Sequence, residues 1–401
     1  MNILYINHYA GGPEYGMAFR PHYLAKEWKK MGHNVTIVGA SYSHLRKKQP
    51  SCAEEYVDGI RYLWLGTPKY HGNGLGRVKN MALFVWGLYT NKDKIILKFV
   101  PDIVITSSTY PLDNLPAYRI AKECNAKFVF EAHDLWPLSP MVLGKMSKYH
   151  PFIMVMQYAE NFAYRHADKV VSILPCAEPH MLAHGLKEGK FIHIPNGIDI
   201  SEWKQSSSIP EMHKNCFEKL KKKFIIGYAG GITHNDALIY LINAARELQK
   251  YNVAVVIVGK GEAKLDLENY TKNNNIDNVF FLPAVDKSAV PNILSYMNAL
   301  YIGWQKNPLY RFGISPNKIY DYMMAGKPIL HSVEAANDLV QEAHCGVSVK
   351  SEDINDIVDG IKQLMNMSEN ARIKLGQNGK KYVVDNFDYR ILARKFIEEI
   401  M

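Results

Sequence analysis

The chain reads as an α/β protein made of two doubly wound, Rossmann-like domains facing a central cleft. Three observations predict this. Short apolar runs alternate with longer amphipathic stretches, the pattern of a parallel sheet covered by helices. The alternation occurs twice, on either side of a polar segment at 201–223 that holds three consecutive serines, Pro210 and the basic run Lys219-Leu220-Lys221-Lys222-Lys223. At 401 residues the chain is long for one domain and suits two. The expected boundaries are 1–200, 201–385 and a closing helix at 386–401. Periodicity alone does not say whether that helix crosses back to the first domain.

Taken in order, the first-half strands are Ile3–Asn7, Val35–Gly39, Ile60–Leu65, Asp102–Thr106, Lys127–Glu131, Lys169–Ile173 and Phe191–Ile194. A first helix is expected from about Met17 to Met31: Phe19, Tyr23, Leu24 and Trp28 share one face, and Gly32 stops it. The second half repeats the theme at Phe224–Ala229, Val253–Val258, Val279–Leu282, Ala299–Gly303 and Pro328–His331. In such folds ligands bind beyond the carboxyl ends of the strands.

Composition narrows the classes. Hydrophobic residues make up 47%, enough for a core. The formal charge of +9 suits anionic small ligands, an anionic membrane surface or nucleic acid without choosing among them. Nucleic acid is disfavoured because the basic residues are dispersed. Cys52, Cys124, Cys176, Cys216 and Cys345 show no metal-ligand spacing and read as free thiols of a reducing compartment. The chain opens directly on a strand, and no apolar run reaches the roughly 18 residues that span a bilayer. The expectation is a soluble or peripheral protein.

The segment Phe312–Pro328 carries the strongest functional signal. Ser315, Pro316 and Asn317 read as a helix start, with Ser or Asn capping an orphan amide, and Gly326 with Pro328 as its stop. A helix start attracts phosphate through its free N–H groups and dipole. Lys318 adds a full charge there. Asp321, one turn on, is placed to accept from a ribose diol. A nucleotide or nucleotide-sugar site follows.

Other constellations fit around it. Gly11-Gly12 follows the first strand and Gly230-Gly231 the first strand of the second half, each a turn where backbone can approach a ligand. No G-x-G-x-x-G follows the first, which disfavours a dinucleotide cofactor. Arg20 is either a cleft residue or a solvated helix residue. His133, at a strand end, is either a donor to substrate oxygens or a satisfied core histidine; Asp134 beside it can orient the ring or contact an acceptor hydroxyl. Asn196 and Asp199 flank a tight turn next to the cleft. Gly259 and Lys260 at one strand end, and Val285 after another, are expected to line a flat base pocket. Lys306 and Arg311 sit in an aromatic loop suited to pyrophosphate or sugar. The stretch Arg77–Phe99, apolar with basic flanks, suits a membrane interface as well as a core helix.

The order of Gly11-Gly12, His133-Asp134, Pro195-Asn196-Gly197-Ile198-Asp199, Val258-Gly259-Lys260-Gly261-Glu262 and Asp321 with Ala325-Gly326-Lys327-Pro328 resembles the family 4 retaining glycosyltransferases of GT-B fold, over nearly the whole chain. Within that family it is most similar to bacterial O-antigen N-acetyl-L-fucosaminyltransferases of the WbuB type. The resemblance implies a UDP-sugar donor held mainly by the second domain and a hydroxyl acceptor held mainly by the first. It implies no cofactor and no metal ion, an undecaprenyl-diphosphate-linked saccharide as acceptor, and a cytoplasmic protein on the inner face of the plasma membrane. It gives Asp321 the ribose, puts Gly12 and His133 at the reaction centre and leaves Lys318 to stabilise the departing diphosphate. The donor set it suggests is Gly230, Gly231, Gly259, Lys260, Val285, Ser315, Pro316, Asn317 and Asp321.

The chain departs from the family pattern in two places. Gly313 stands where the family has a first glutamate. Gly231 and His234-Asn235-Asp236 stand where it has Arg and Lys. A deoxy-sugar donor fits the loss of one carboxylate. The competing readings are a UDP-sugar 2-epimerase and a non-catalytic nucleotide-sugar-binding subunit.

Overall fold

A computed structural model describes residues 1–16, 19–72 and 74–401, and the chain divides into two compact units, Met1–Asn196 with Tyr389–Met401, and Gly197–Asp388. The expected start of the first helix at Met17 lies outside the described residues.

The first unit holds an eight-stranded sheet of β1 (Asn2–Ile6), β2 (Asn34–Ala40), β3 (Glu54–Val57), β4 (Ile60–Leu65), β5 (Ile103–Thr106), β6 (Lys127–Ala132), β7 (Lys169–Ser172) and β8 (Phe191–His193), in the order β3-β4-β2-β1-β5-β6-β7-β8. Every pairing is parallel except β3 with β4, a hairpin turned at Asp58 and Gly59, both of positive φ. The chain lays β2 and β4 on one side of β1, then crosses to place β5 on the other. The gap beyond the carboxyl ends of β1 and β5 is therefore a topological switch point, where doubly wound sheets hold ligands.

Helix Arg20–Lys30 packs its buried face, including Tyr23, Leu24 and Trp28, on this sheet. The closing helix Tyr389–Ile400 lies against it and belongs to the same unit. Trp28 donates its indole N–H to the Ala393 carbonyl at 2.9 Å, and Phe396 meets the Trp28 ring edge-on at 5.2 Å. The basic-flanked apolar stretch is two helices, Leu75–Thr90 and Lys92–Phe99. Asn80, Met81, Phe84 and Leu88 of the first face inward, while Leu75 and Trp86 stand 87% and 63% exposed.

The second unit carries β9 (Phe224–Gly231), β10 (Val253–Lys260), β11 (Val279–Leu282), β12 (Ala299–Gly303), β13 (Ile329–Ser332) and β14 (Gly346–Val349), in the order β11-β10-β9-β12-β13-β14, all parallel. Its switch point lies between β9 and β12. The central strands are buried on both faces, so they read as unbroken apolar runs such as Val253–Val258. Gly230 and Gly231 continue β9 instead of turning, and Gly259 pairs with Gly230 across the ladder. A Cβ on Gly259 would come within 2.0 Å of the Gly230 carbonyl oxygen, so glycine is required for the strands to approach there.

Candidate functional site

In the first unit, the strand ends flanking the switch point build a buried polar network around Glu131. This carboxylate closes the apolar run Phe128-Val129-Phe130, with its side chain 0% exposed; it accepts from Arg20 Nε at 2.9 Å and pairs with the same guanidinium through Nη2, also 2.9 Å away. Arg20 is 4% exposed and also donates to the carbonyls of Ile194, at 2.9 Å, and Pro195. Arg20 is thus not a solvated residue: it ties the first helix to the ends of two strands. Burial alone would raise the Glu131 pKa, but the Arg20 guanidinium and the bonds from His133 and Ser107 outweigh it and hold the carboxyl well below its usual range. Tyr5 and Ser107 complete the set by donating their hydroxyls to the same carboxylate.

His133 stands over this network. Its Nε2 lies 2.8 Å from Ser107 Oγ and 3.1 Å from Glu131 Oε2, and its side chain is 25% exposed. A proton on Nε2 satisfies both oxygens. Glu131 and Ser107 orient the imidazole, not Asp134, which is exposed. Gly11 and Gly12 are buried. The Gly11 carbonyl accepts from Tyr62 at 3.0 Å, and Gly12 closes a bridge with Gly16 in both directions. A Cβ on Gly12 would sit 3.3 Å from His22 Nδ1, a tight contact that the ring would have to relieve by a few tenths of an ångström. Asp199 is a helix cap, accepting from Ser201 and Glu202. Asn196, the last residue before the second unit, is half-buried.

In the second unit, helix Asn317–Met324 starts beside the β9–β12 switch point. Its N-cap is Pro316, which makes no side-chain cap bond, and the Ser315 hydroxyl meets the Tyr320 hydroxyl at 3.0 Å instead. The expected Ser or Asn cap is therefore not formed. The N-cap residue thus supplies no side-chain bond to the first amides of the helix, the condition that suits an anion. Lys318, in the first turn, folds its ammonium over the Tyr228 ring, 4.5 Å from the centroid, and bonds the Tyr228 hydroxyl and Asp236. Burial pushes this lysine's pKa down, with Asp236 working against the shift. Asp236 is in turn fixed by Thr233, whose amide and hydroxyl donate to it at 2.9 and 2.6 Å. Gly230 makes room for this arrangement: a Cβ there would come within 2.9 Å of Lys318 Cδ. The space beside Gly231 is open.

Asp321 lies one turn along the helix, half-buried, and takes a salt bridge from Lys287. Burial raises its pKa and Lys287 opposes this. The strand-end carbonyls expected to face a base are partly engaged: Lys264 Nζ donates to those of Gly259 and Leu282, each at 3.0 Å. Lys260 is exposed, and Val285 packs on the core. Lys306 is exposed and pairs with Glu334 at 3.5 Å, while Arg311, also exposed, stacks on Phe312. The structure thus gathers Gly230, Ser315–Lys318 and Asp321 at one helix start in the second unit. His133 gathers with Glu131 and Ser107 in the first.

A cavity of about 440 Å³ opens at the opposite, amino-terminal ends of β1, β2 and β4, lined by Asn2, Asn34, Arg61 and Lys98 among others. Arg61 and Lys98 there are both paired with Glu54.

Two family models match the chain. The one described as glycosyl transferases group 1 takes residues 211–382, and the glycosyl transferase 4-like domain takes 15–197. The chain belongs to this glycosyltransferase family. It is 24% identical over 246 residues to the glycosyl transferase WcaI of Escherichia coli K12, named for colanic acid biosynthesis, a match covering 60% of this chain and 59% of that one. The matched stretch thus falls short of two thirds of that relative's length. Among solved structures, sucrose-phosphate synthase of Thermosynechococcus elongatus superposes with a TM-score of 0.75 at 15% identity, covering 99% of this chain and 98% of that one. Anabaena HepE in complex with UDP-glucose gives 0.69 at 14%, covering 99% of each. The fold of this glycosyltransferase is therefore GT-B: two Rossmann-like α/β units.

Three residues of the site escaped the sequence reading. Glu131 carries a signal, a lone acid closing the apolar run Phe128-Val129-Phe130. Ser107 and Lys287 carry none, because each acquires its role from a partner at least 24 residues away. Asp236 stands out in the sequence as a departure from the family pattern, but its pairing with Lys318, 82 residues away, is not legible there.

Proposed function

We propose that this glycosyltransferase moves N-acetyl-L-fucosamine, with retention, from a UDP-sugar to a hydroxyl of a lipid-linked saccharide, without a metal ion. The observation that carries the reading is the start of helix Asn317–Met324: its N-cap Pro316 makes no side-chain bond to it, Lys318 projects from its first turn, and Asp321 follows one turn on. Helix amides and one lysine stabilise the departing diphosphate, and Asp321 takes the ribose on exchanging Lys287 for it. Where the family has a lysine, this chain has Asp236, and the cation comes instead from Lys318 on the facing helix. His133, held by Ser107 and Glu131 in the first unit, is assigned to the reaction centre on the sequence resemblance. Electrostatic stabilisation of the leaving group is the dominant requirement of such a transfer. The named role of WcaI supports a surface polysaccharide as the product, and the UDP-glucose in HepE supports a UDP-sugar. The specific sugar rests on the sequence resemblance.

The exposed apolar row Leu75, Val78, Leu83 and Trp86 supports a peripheral membrane contact on the inner leaflet, with Lys79 and Lys94 beside it. Arg77 is engaged with Tyr9 at 3.1 Å and takes no part. Among the described residues no helix is long and apolar enough to cross a membrane.

The test is a thermal-shift comparison of UDP, GDP and dTDP on the wild type and Lys318→Ala. At a hundredfold excess over Kd a ligand adds about 2.7 kcal/mol, and UDP is expected to give the largest shift. Absence of any nucleotide shift, or a UDP shift unchanged in Lys318→Ala, refutes the site. Donor incubated without acceptor stays intact; conversion to an epimer assigns the chain to the isomerase reading.

A further inference from the structure

Away from both strand-end sites, the first unit holds a second concentration of chemistry. Helix Pro151–His166 contributes Glu160, which is 1% exposed, and the short helix Glu178–Ala183 with its C-cap contributes His180 and His184. One ligand atom from each of these three residues lies within 4.8 Å of the others. We propose that Glu160, His180 and His184 bind a zinc-like divalent ion that staples the two helices flanking β7.

The details are those of a ligand set. His180 and His184 are four apart, so both rings leave one helix face, with centroids 4.2 Å apart. His180 Nε2 is 3.4 Å from Glu160 Oε1. Two ligands each about 2.0–2.1 Å from a tetrahedral zinc stand about 3.4 Å apart, the same separation. The Nδ1 of His184 donates to the His180 carbonyl at 2.8 Å, which fixes its proton there and leaves the lone pair on Nε2. This is the backbone-oriented tautomer that metal-bound histidines adopt. The carboxylate is oriented too: Tyr164 donates to Oε1 at 3.0 Å and Gln157 to Oε2 at 2.7 Å.

The alternative, a plain ion pair, needs one imidazolium. It uses His180 alone and gives the second ring, tilted against the first at 4.2 Å, no part at the carboxylate. Two nitrogens and one carboxylate select zinc-class ions over magnesium or calcium, which prefer all-oxygen shells. Three protein ligands leave a fourth position for water, and the half-buried histidines leave it reachable. The ion is structural. Its ligands come from the helices before and after β7 and share no hydrogen-bond partner with His133 among the described contacts, so it is given no part in sugar transfer.

The experiment uses the full chain with any affinity tag removed, stripped with chelator and dialysed against micromolar zinc, the metal then counted by mass spectrometry. One zinc per chain is expected, with a raised thermal midpoint. His184→Ala and His184→Gln are expected to lose it by about a hundredfold in affinity, and Tyr164→Phe to weaken it by about 10–100-fold as a positioning residue. Cys176→Ser retains it. Cobalt substitution is expected to give a visible spectrum without a thiolate charge-transfer band. An unchanged far-UV spectrum and an unchanged UDP shift in the His184 variants show that they fold. Zinc no higher than the dialysis blank, zinc retained in both His184 variants, or a thiolate band in the cobalt protein overturns the assignment.

Discussion

Replacing Glu131 by Gln removes the charge that balances Arg20 while changing almost no volume. Arg20 then remains 4% exposed with no carboxylate, and the new amide presents N–H groups toward donors that had converged on it. Stranding one partner of a buried pair costs about 3–5 kcal/mol. In a unit of about 200 residues each kcal/mol moves the midpoint by about 2–4 °C, so a fall on the order of 10 °C is expected by calorimetry. The pH dependence has a definite sign. The folded carboxyl titrates well below its unfolded value near 4.3, so its contribution is full above about pH 5 and drains away as the pH falls toward the folded value. In Glu131→Gln that acid sensitivity disappears. The double variant Arg20→Met/Glu131→Leu, which leaves no charge stranded, is expected to be more stable than the single one. Measured well below the transition, turnover of Glu131→Gln also falls by about tenfold or more, because the His133 tautomer loses its anchor. A midpoint within about 2 °C of wild type, with unchanged acid sensitivity, refutes the reasoning.

Three further outcomes are expected. Lys318→Ala lowers turnover by about 10²–10³, the scale for losing one preorganised charge stabiliser, in a radiolabelled transfer assay. Gly230→Ala brings a Cβ within 2.9 Å of Lys318 Cδ, so it displaces the ammonium and weakens UDP binding by calorimetric titration, while the far-UV spectrum stays unchanged. The protein co-sediments with anionic liposomes at low salt, less so at high salt, and Trp86→Glu abolishes this; equal sedimentation of wild type and variant would discard the membrane contact.

Most of the scaffold was legible because its strands are buried on both faces. Val253–Val258 and Ile103–Thr106 offer no other reading of their apolar runs. The hairpin strand Glu54–Val57 was missed: it is polar, pairs on one side only, and gains its place from β4. The end of β9 was read as a turn because glycines usually break strands, whereas here they let β9 and β10 approach closely. The helix start near Pro316 was located from residue types, but its cap was misassigned, since Ser315 turns to Tyr320. Arg20 reads as either a cleft or a solvated residue because its partner is 111 residues away, and no local pattern encodes such a distance.

The helix Tyr389–Ile400 has a consequence for how the protein is made. Tyr23, Trp28 and the apolar face around them are covered by residues that leave the ribosome only after the whole of Gly197–Asp388. The downstream unit can therefore fold from contiguous sequence while its upstream neighbour waits with a greasy flank uncovered. Ribosome-stalled chains ending before Tyr389 should recruit holdase chaperones to that flank, and longer nascent chains should release them.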